Sequence, residues 1–184
     1  HGRWQELAEL LAREAGRESE PEERFADLFR AARIYEDHLQ DDARAASLLE
    51  TAAALRSGDT LPLYVLVEIY QRIGRYEDLA AALSRLLRLV RDPAERASVC
   101  YRLGRAQEDW LGNPVEAARA YTEALRDVPG HEAALRALGN LYERESRWEE
   151  LVELALLRAE RGQEVALRAD GYARAADLCE TRLK

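Results

Sequence analysis

Histidine, cysteine and carboxylate side chains are the groups in this sequence that could do chemistry, and their spacing points away from catalysis. The histidines, His1, His38 and His131, are not spaced from one another or from a cysteine as metal ligands are. The sequence also lacks the phosphate-binding, nucleophile-elbow and zinc-protease motifs. The acidic run at residues 18–23 is typical of a solvated helix start. We therefore expect a non-enzymatic protein with no catalytic residue, no bound metal and no cofactor.

The charge balance and the absence of long apolar stretches exclude further classes. The 184 residues carry 27 basic and 35 acidic side chains, for a net charge of −8. Such a chain lacks the cationic face that sequence-independent nucleic-acid binding needs. No apolar stretch reaches the length of a membrane-spanning helix and no signal-peptide pattern is present, so we expect a cytoplasmic protein without membrane insertion. Lys184 is the only lysine, a bias that favours a bacterial, GC-rich source.

The two cysteines, Cys100 and Cys179, lie inside helical patterns and have no CxxC spacing. A disulfide framework needs denser cysteine use than this. We expect both side chains to be buried, reduced thiols.

The sequence repeats itself at a long and constant interval. Trp4, Tyr76 and Trp148 occupy the same place in the segments GRWQEL, GRYEDL and SRWEEL. The segments RAARIYEDHL, RLGRAQEDWL and RAADLCETRL keep the same 72-residue register without gaps. An internal repeat of this kind predicts an architecture of stacked, similar units.

Each 72-residue repeat is helical in pattern. Apolar residues recur at i, i+3, i+4 and i+7, and no window alternates with the period of two that strands show. Asp92 and Asn113 each precede a proline, where an Asp or Asn side chain can cap a helix and proline fits its first turn. The sequence predicts an all-α fold of about ten antiparallel helices. They should start near Arg3, Pro21, Asp42, Leu61, Tyr76, Pro93, Pro114, His131, Arg147 and Glu164.

The aromatic and small residues of these helices resemble the tetratricopeptide repeat (TPR). Leu138, Gly139 and Tyr142, followed by Trp148 and Leu151, are similar to the family's paired-helix pattern. A second copy begins at Leu103 and Gly104 and ends at Pro129, and a weaker third begins at Ala31 and Ala32. The repeats are degenerate, since Val67 stands where the small glycine belongs and Gln107 replaces a tyrosine.

This resemblance implies a right-handed α-α superhelix in which A helices line the inner surface and B helices the outer one. On this interpretation residues 1–184 form one TPR-like domain. It comprises a B helix at 3–16, A–B pairs at 21–56, 60–91, 93–127 and 131–161, and an A helix at 164–184. The two outermost helices lack a partner, so we expect a piece of a longer array or head-to-tail self-association that buries Trp4 or Leu183.

The inner positions of the A helices are the candidate binding residues. Arginine binds carboxylates in a bidentate manner, and tyrosine covers a peptide at low entropic cost. We expect a partner protein or extended peptide on this concave face, with an acidic partner favoured. The alternative is that these arginines only pair with inward glutamates. The candidates are Arg30, Arg33, Tyr64, Glu68, Tyr101, Arg102, Arg105, Arg136 and Asn140.

Arg136 and Asn140, one helical turn apart, resemble part of the clamp with which some TPR proteins grip a C-terminal carboxylate. Glu68 occupies the position of Asn140 one repeat earlier, which argues against a complete clamp. The favoured function is a protein-interaction scaffold or adaptor. One subclass is an assembly factor of a bacterial motility, polarity, secretion or envelope complex. The less favoured alternative is a ligand-binding regulator or an enzyme that uses the superhelix as a pocket.

Overall fold

The structure, a computed structural model, describes residues 2–18, 20–161 and 165–183. These residues form ten α-helices and no strand, which confirms the all-α prediction. His1, Lys184 and the predicted helix start at Glu164 lie outside the described residues. The helices are α1 (Gly2–Ala15), α2 (Pro21–Ile34), α3 (Asp42–Leu55), α4 (Leu61–Ile73), α5 (Tyr76–Leu89), α6 (Pro93–Asp109), α7 (Pro114–Asp127), α8 (Glu132–Arg144), α9 (Trp148–Arg161) and α10 (Val165–Arg182).

The described helix starts lie at the predicted residues or one residue away. A side-chain cap or a proline in the first turn marks the starts of α2, α3, α4, α6, α7 and α8. The Asp92 side chain accepts a hydrogen bond from the Glu95 backbone N–H at 2.8 Å, as expected. His131 caps α8 by accepting from the Ala134 N–H through Nδ1 at 3.1 Å. The expected cap by Asn113 is wrong, since its side-chain amide donates to Gln107 Oε1 at 3.0 Å instead.

The chain divides into two compact units, His1–Val90 and Arg91–Lys184. The first unit contains α1 to α5 and the second contains α6 to α10. Within each unit, every helix packs against the next one in the chain. No described helix is long and apolar enough to cross a bilayer.

The core of each unit consists mainly of alanine and leucine side chains with a few aromatic and β-branched ones, and no polar or charged residue is buried among the described ones. The small residues allow close approach of neighbouring helices. Gly104 on α6 faces the fully buried Tyr121 ring of α7, and a Cβ at Gly104 would lie well inside the contact distance of that ring. At Gly139 on α8, by contrast, a Cβ would meet Leu154 and Leu151 of α9 at ordinary distances of 3.6 and 3.9 Å.

The sequence repeat is visible in the side-chain contacts. In the first unit the Arg75 guanidinium lies 4.8 Å from the centre of the Tyr70 ring. In the second unit the equivalent residue, Arg147, lies 4.6 Å from the centre of the Tyr142 ring. Each arginine also pairs with a carboxylate three residues on, Asp78 at 2.7 Å or an equivalent glutamate at 2.6 Å. The two copies therefore lock the A-to-B turn in the same way.

A π-helical segment, Tyr35–Leu39, extends α2 and was not predicted from the sequence. It ends at Gln40, whose φ of 54° is left-handed. The segment brings the His38 ring onto the Trp4 ring, with centroids 3.9 Å apart and planes at 7°. Two repeats later, Arg182 lies 4.8 Å from the centre of the Trp148 ring.

The prediction for the cysteines is half wrong. Cys100 is buried in α6, and desolvation raises the pKa of its thiol to about 11. Cys179 is exposed. The buried face of α10 contains Ala175 and Leu178. Cys179 follows Leu178 directly, which turns its side chain about 100° away from that face.

The two motif glycines should respond in opposite ways to alanine. We expect Gly104→Ala to lower the free energy of unfolding by about 1–2 kcal/mol, because the new methyl group overpacks against Tyr121. Gly139→Ala has room and should raise it by about 0.5–1 kcal/mol through helix propensity. Urea denaturation followed by circular dichroism measures both changes. Equal effects of the two substitutions would contradict the packing difference.

Candidate functional site

In the first unit, the candidate residues of α4 share one face with an arginine that ties three elements together. Tyr64, Glu68 and Arg72 follow each other at intervals of four residues. The Arg72 guanidinium lies 2.6 Å from an Asp42 oxygen at the start of α3, and 3.2 Å from Glu36 in the π-helical segment. Hydrogen bonds from Arg72 lower the pKa of the Asp42 carboxyl below its usual value of 3.8.

The candidate arginines of α2 pair with carboxylates close to them in the chain. Arg33 lies 2.6 Å from Glu36 and 3.0 Å from Asp37, and Arg30 lies 3.8 Å from Asp27. Tyr64 is half-buried and Glu68 is exposed on α4. For α2, then, the structure favours the alternative in which inward arginines pair with neighbouring carboxylates.

In the second unit, four of the candidate residues line one cleft between α6 and α8. The cleft has a volume of ≈ 330 Å³. Arg102, the fifth candidate of this unit, is half-buried and lies outside the lining. The lining residues are Tyr101, Arg105, Glu108, Asp109, Ala133, Arg136, Ala137 and Asn140.

The α6 side of the cleft is internally neutralised. Arg105 donates to the Tyr101 hydroxyl at 3.3 Å and lies 2.5 Å from Asp109, and these interactions raise the pKa of its guanidinium. Glu108 accepts from the Tyr121 hydroxyl at 2.7 Å and pairs with an arginine at the end of α8 at 3.1 Å. Burial, together with this hydrogen bond, raises the pKa of Tyr121.

The α8 side of the cleft is different. Arg136 and Asn140 are exposed and stand one helical turn apart on the cleft wall. Among the described residues, neither side chain has a hydrogen-bond or ion-pair partner. A guanidinium and a carboxamide at this spacing can both donate to one carboxylate.

A smaller cavity of ≈ 110 Å³ adjoins Arg136 on the other side of α8, between α8, α9 and α10. Arg158 and Arg174 line it together with Arg136 and Asn140. Arg158 lies 3.6 Å and Arg174 3.7 Å from exposed glutamates, separations at which surface ion pairs contribute little. Three guanidinium groups therefore border a small region of the second unit.

The arginines were identified from the sequence as candidates, but their carboxylate partners were not. Asp37 and Asp109 stand four residues after Arg33 and Arg105, in the same register of the repeat. This i, i+4 spacing on a helix is a signal for pairing that was present in the sequence. Within the described residues, no three His, Cys, Asp or Glu side chains form a group that could hold a metal ion.

Comparison with known proteins identifies the class of this fold. A tetratricopeptide repeat family model matches residues 62–97 and 134–164. No curated protein sequence matches the chain. A crystal structure of a tetratricopeptide repeat protein from Parabacteroides merdae is 19% identical with a TM-score of 0.58, covering 97% of this chain and 72% of that one.

Two further solved structures have the same architecture. MamA is 20% identical with a TM-score of 0.56, over 83% of this chain and 81% of its own. YrrB, described as a TPR protein with an unusual peptide-binding site, is 16% identical with a TM-score of 0.53, over 85% and 84%. These likenesses concern the fold. With the repeat match, they show that the chain is a TPR-like helical repeat protein, as the sequence predicts.

The Arg72–Asp42 pair should make the stability of the first unit depend on pH in acid. Because the folded pKa of Asp42 is lowered, the pair stabilises the fold above the usual pKa of 3.8 and is lost as pH falls through the folded value. We expect Arg72→Leu to destabilise the protein at pH 7 and to flatten its acid dependence below about pH 4. Urea titrations between neutral pH and about pH 2.5 measure this.

The matched control is Arg30→Leu, which removes a more exposed arginine from the same unit. It should keep the acid dependence of the wild-type protein. If Arg72→Leu and wild type lose stability in parallel as the pH falls, the pair does not act as described.

Proposed function

We propose that this chain is a non-enzymatic protein-interaction scaffold whose second unit binds a carboxylate-bearing peptide segment in the cleft between α6 and α8. The observation that carries the proposal is the pair Arg136 and Asn140, which line the cleft without a partner among the described residues. The TPR-like fold supports it, because helical repeats of this kind present extended binding surfaces.

Ion pairs within the protein distinguish the candidates from one another. Arg105 is held by Asp109 and Tyr101, so its charge is largely neutralised within the protein. Arg136 has no such partner in the described part of the chain. We therefore assign ligand binding to Arg136 and Asn140, with Tyr101 as an apolar wall. In this proposal Arg105, and Arg102 outside the cleft lining, contribute to binding less than Arg136 does.

For the first unit, we propose a weaker role of the same kind for Arg30, Arg33, Tyr64 and Glu68. The subclass of a bacterial motility, polarity, secretion or envelope assembly factor, a cytoplasmic location and one continuous domain over residues 1–184 stay predictions.

Reversing the charge of Arg136 should weaken binding of acidic peptides. With fluorescein-labelled 15-residue peptides selected on a synthetic array, we expect Arg136→Glu to raise Kd about tenfold or more, because a charge-assisted hydrogen bond is lost. Asn140→Ala should have a smaller effect. Fluorescence anisotropy measures both. Arg119→Glu is the control, since Arg119 is exposed on α7 and outside the cleft.

An unchanged Kd for Arg136→Glu would move the binding site away from this cleft. The same conclusion, that the site lies elsewhere, would follow if Arg119→Glu weakened binding as strongly as Arg136→Glu. Far-UV circular dichroism of each variant confirms that helicity is retained.

A second candidate function is self-association, favoured by two exposed apolar helix faces. Leu7 and Leu10 of α1 are 39% and 43% exposed. Their counterparts two repeats later, Leu151 and Leu154, are buried and lie against α8. Tyr172 of α10 is also 45% exposed, although its counterparts in α2 and α6 are buried. We propose that α10 of one copy packs on α1 of another, a heterologous contact.

A charge on the exposed face of α1 should abolish this association. We expect the sedimentation mass of the wild-type protein to rise above 20.9 kDa with concentration, and that of Leu10→Glu to stay at the monomer value. Gln5→Glu, which adds the same charge at another exposed position of α1, should behave as wild type. A wild-type mass that does not change with concentration would refute the contact.

A further inference from the structure

The second unit contains an apolar groove on the side of α8 that faces α7 and α9. Its volume is ≈ 470 Å³. Leu138 and Tyr142 of α8 form part of its lining, together with aliphatic and charged side chains from both neighbouring helices and the turn after α7. These are Thr122, Leu125, Arg126, Pro129, Glu150, Glu153, Leu154 and Leu157.

The Tyr142 hydroxyl is the unusual feature of this groove. Only 9% of Tyr142 is exposed, and its ring lies beneath the Arg147 guanidinium. In the part of the chain that the structure describes, the hydroxyl has no hydrogen-bond partner. The hydroxyl oxygen is not one of the fully buried, unpartnered side-chain atoms of the described residues, so it is accessible from the groove and can donate to a ligand there.

The first unit shows which partner this tyrosine takes. Tyr70 is the counterpart of Tyr142 one repeat earlier, and it carries the same stacked arginine. Its hydroxyl donates to the carboxylate of Glu50 on α3. The position that corresponds to Glu50 in the second unit is Thr122, whose hydroxyl donates instead to the Ala118 carbonyl of its own helix at 2.8 Å. The repeat therefore keeps the tyrosine and loses its acceptor.

Other groove residues of the second unit also differ from their counterparts in the first unit. The counterparts of Ala53 and Ala82 of the first unit are Leu125 and Leu154, buried leucines that border the groove with larger aliphatic side chains. On the α7 side a cation, Arg126, replaces the first unit's Ala54. Arg126 is exposed and, among the described residues, pairs with Glu123 of its own helix at 2.6 Å.

The α9 side of the groove has the opposite charge. Glu150 is held by Arg147, and the resulting hydrogen bond lowers the pKa of its carboxyl. Glu153 is exposed on the same side. An acidic ligand group would be repelled by the exposed Glu153 on the α9 side, and on the α7 side it would meet Arg126, whose charge Glu123 offsets in part.

We propose that this groove is a second peptide-binding site, which takes an acidic side chain flanked by leucine-type residues from a partner protein. The ligand carboxylate accepts from the Tyr142 hydroxyl, as Glu50 does for Tyr70, and lies on the Arg126 side. The aliphatic residues pack on Leu125, Leu154 and Leu157. This site does not depend on the cleft between α6 and α8.

The test uses an N-acetylated, C-terminally amidated peptide, GSLLELLSG, which has no free α-carboxylate, and its glutamine counterpart GSLLQLLSG. Titration into the ¹⁵N-labelled full chain is followed by amide chemical shifts. We expect saturating shifts in α7 and α9, with the glutamate peptide binding about tenfold tighter than the glutamine peptide. Absence of saturation up to about 1 mM peptide would overturn the proposal.

Two variants test the assigned contact. Tyr142→Phe removes the hydroxyl alone, so it should weaken the glutamate peptide about tenfold and leave the glutamine peptide unchanged. Thr122→Glu restores the internal acceptor of the first unit and should weaken the glutamate peptide by a similar factor. Val115→Glu adds the same charge at an exposed position of α7 outside the groove and should leave Kd unchanged.

The proposal is overturned if both peptides bind equally, or if neither Tyr142→Phe nor Thr122→Glu changes Kd. It is also overturned if the shifts lie in α6 and α8 and are abolished by Arg136→Glu, since the peptide would then occupy the other cleft. Peptide binding at α7 and α9 that persists in the Arg136→Glu variant supports the proposal, whether or not that substitution affects ligands of the α6–α8 cleft.

Discussion

The close packing of each helix onto the next one within its unit is the constraint on which the rest of this structure depends. The buried residues are mainly alanine and leucine, and Gly104 lies so near Tyr121 that a methyl group has no room. Among the described residues no charged side chain is buried, so charged groups lie on the helix faces that do not pack against a neighbour. A binding function on such faces is compatible with this core, because ligand-binding residues can vary without disturbing it.

The repeated ion pairs decide which charges remain for a ligand. Arg72 pairs with Glu36 at 3.2 Å, and the equivalent residues of the second unit, Arg144 and Glu108, pair at 3.1 Å. Because this bridge joins the A helices of each unit in the same way, it serves the fold. Arg136 lies outside the bridge and has no partner among the described residues, so its donors are available to a ligand. The count of arginines on a face therefore overstates its positive charge.

Helix positions were predictable from the sequence because they depend on local signals. Pro93 and Pro114 stand at helix starts, and the apolar period runs without interruption between the turns. Side-chain partners were not predictable, since Asn113 could cap its helix or bond Gln107, and only the three-dimensional arrangement decides. The exposure of Cys179 has the same cause, because burial depends on the rotation of α10 against its neighbour. Four residues that line the cleft, Tyr101, Arg105, Arg136 and Asn140, were candidates from the sequence, and their binding of a ligand stays a prediction.

Differences between the two copies of the repeat carry information that neither copy holds alone. Where the copies agree, as in the arginine stacked on Tyr70 and on Tyr142, the shared contact serves folding. Where the two copies carry different residues in the same fold, folding does not require that difference. With Thr122 in place of Glu50, the Tyr142 hydroxyl lacks the internal acceptor that Tyr70 has, so its donor is open to water or to a ligand. A position that gives up an internal hydrogen bond in an otherwise repeated framework is thus a physical indication of an external partner.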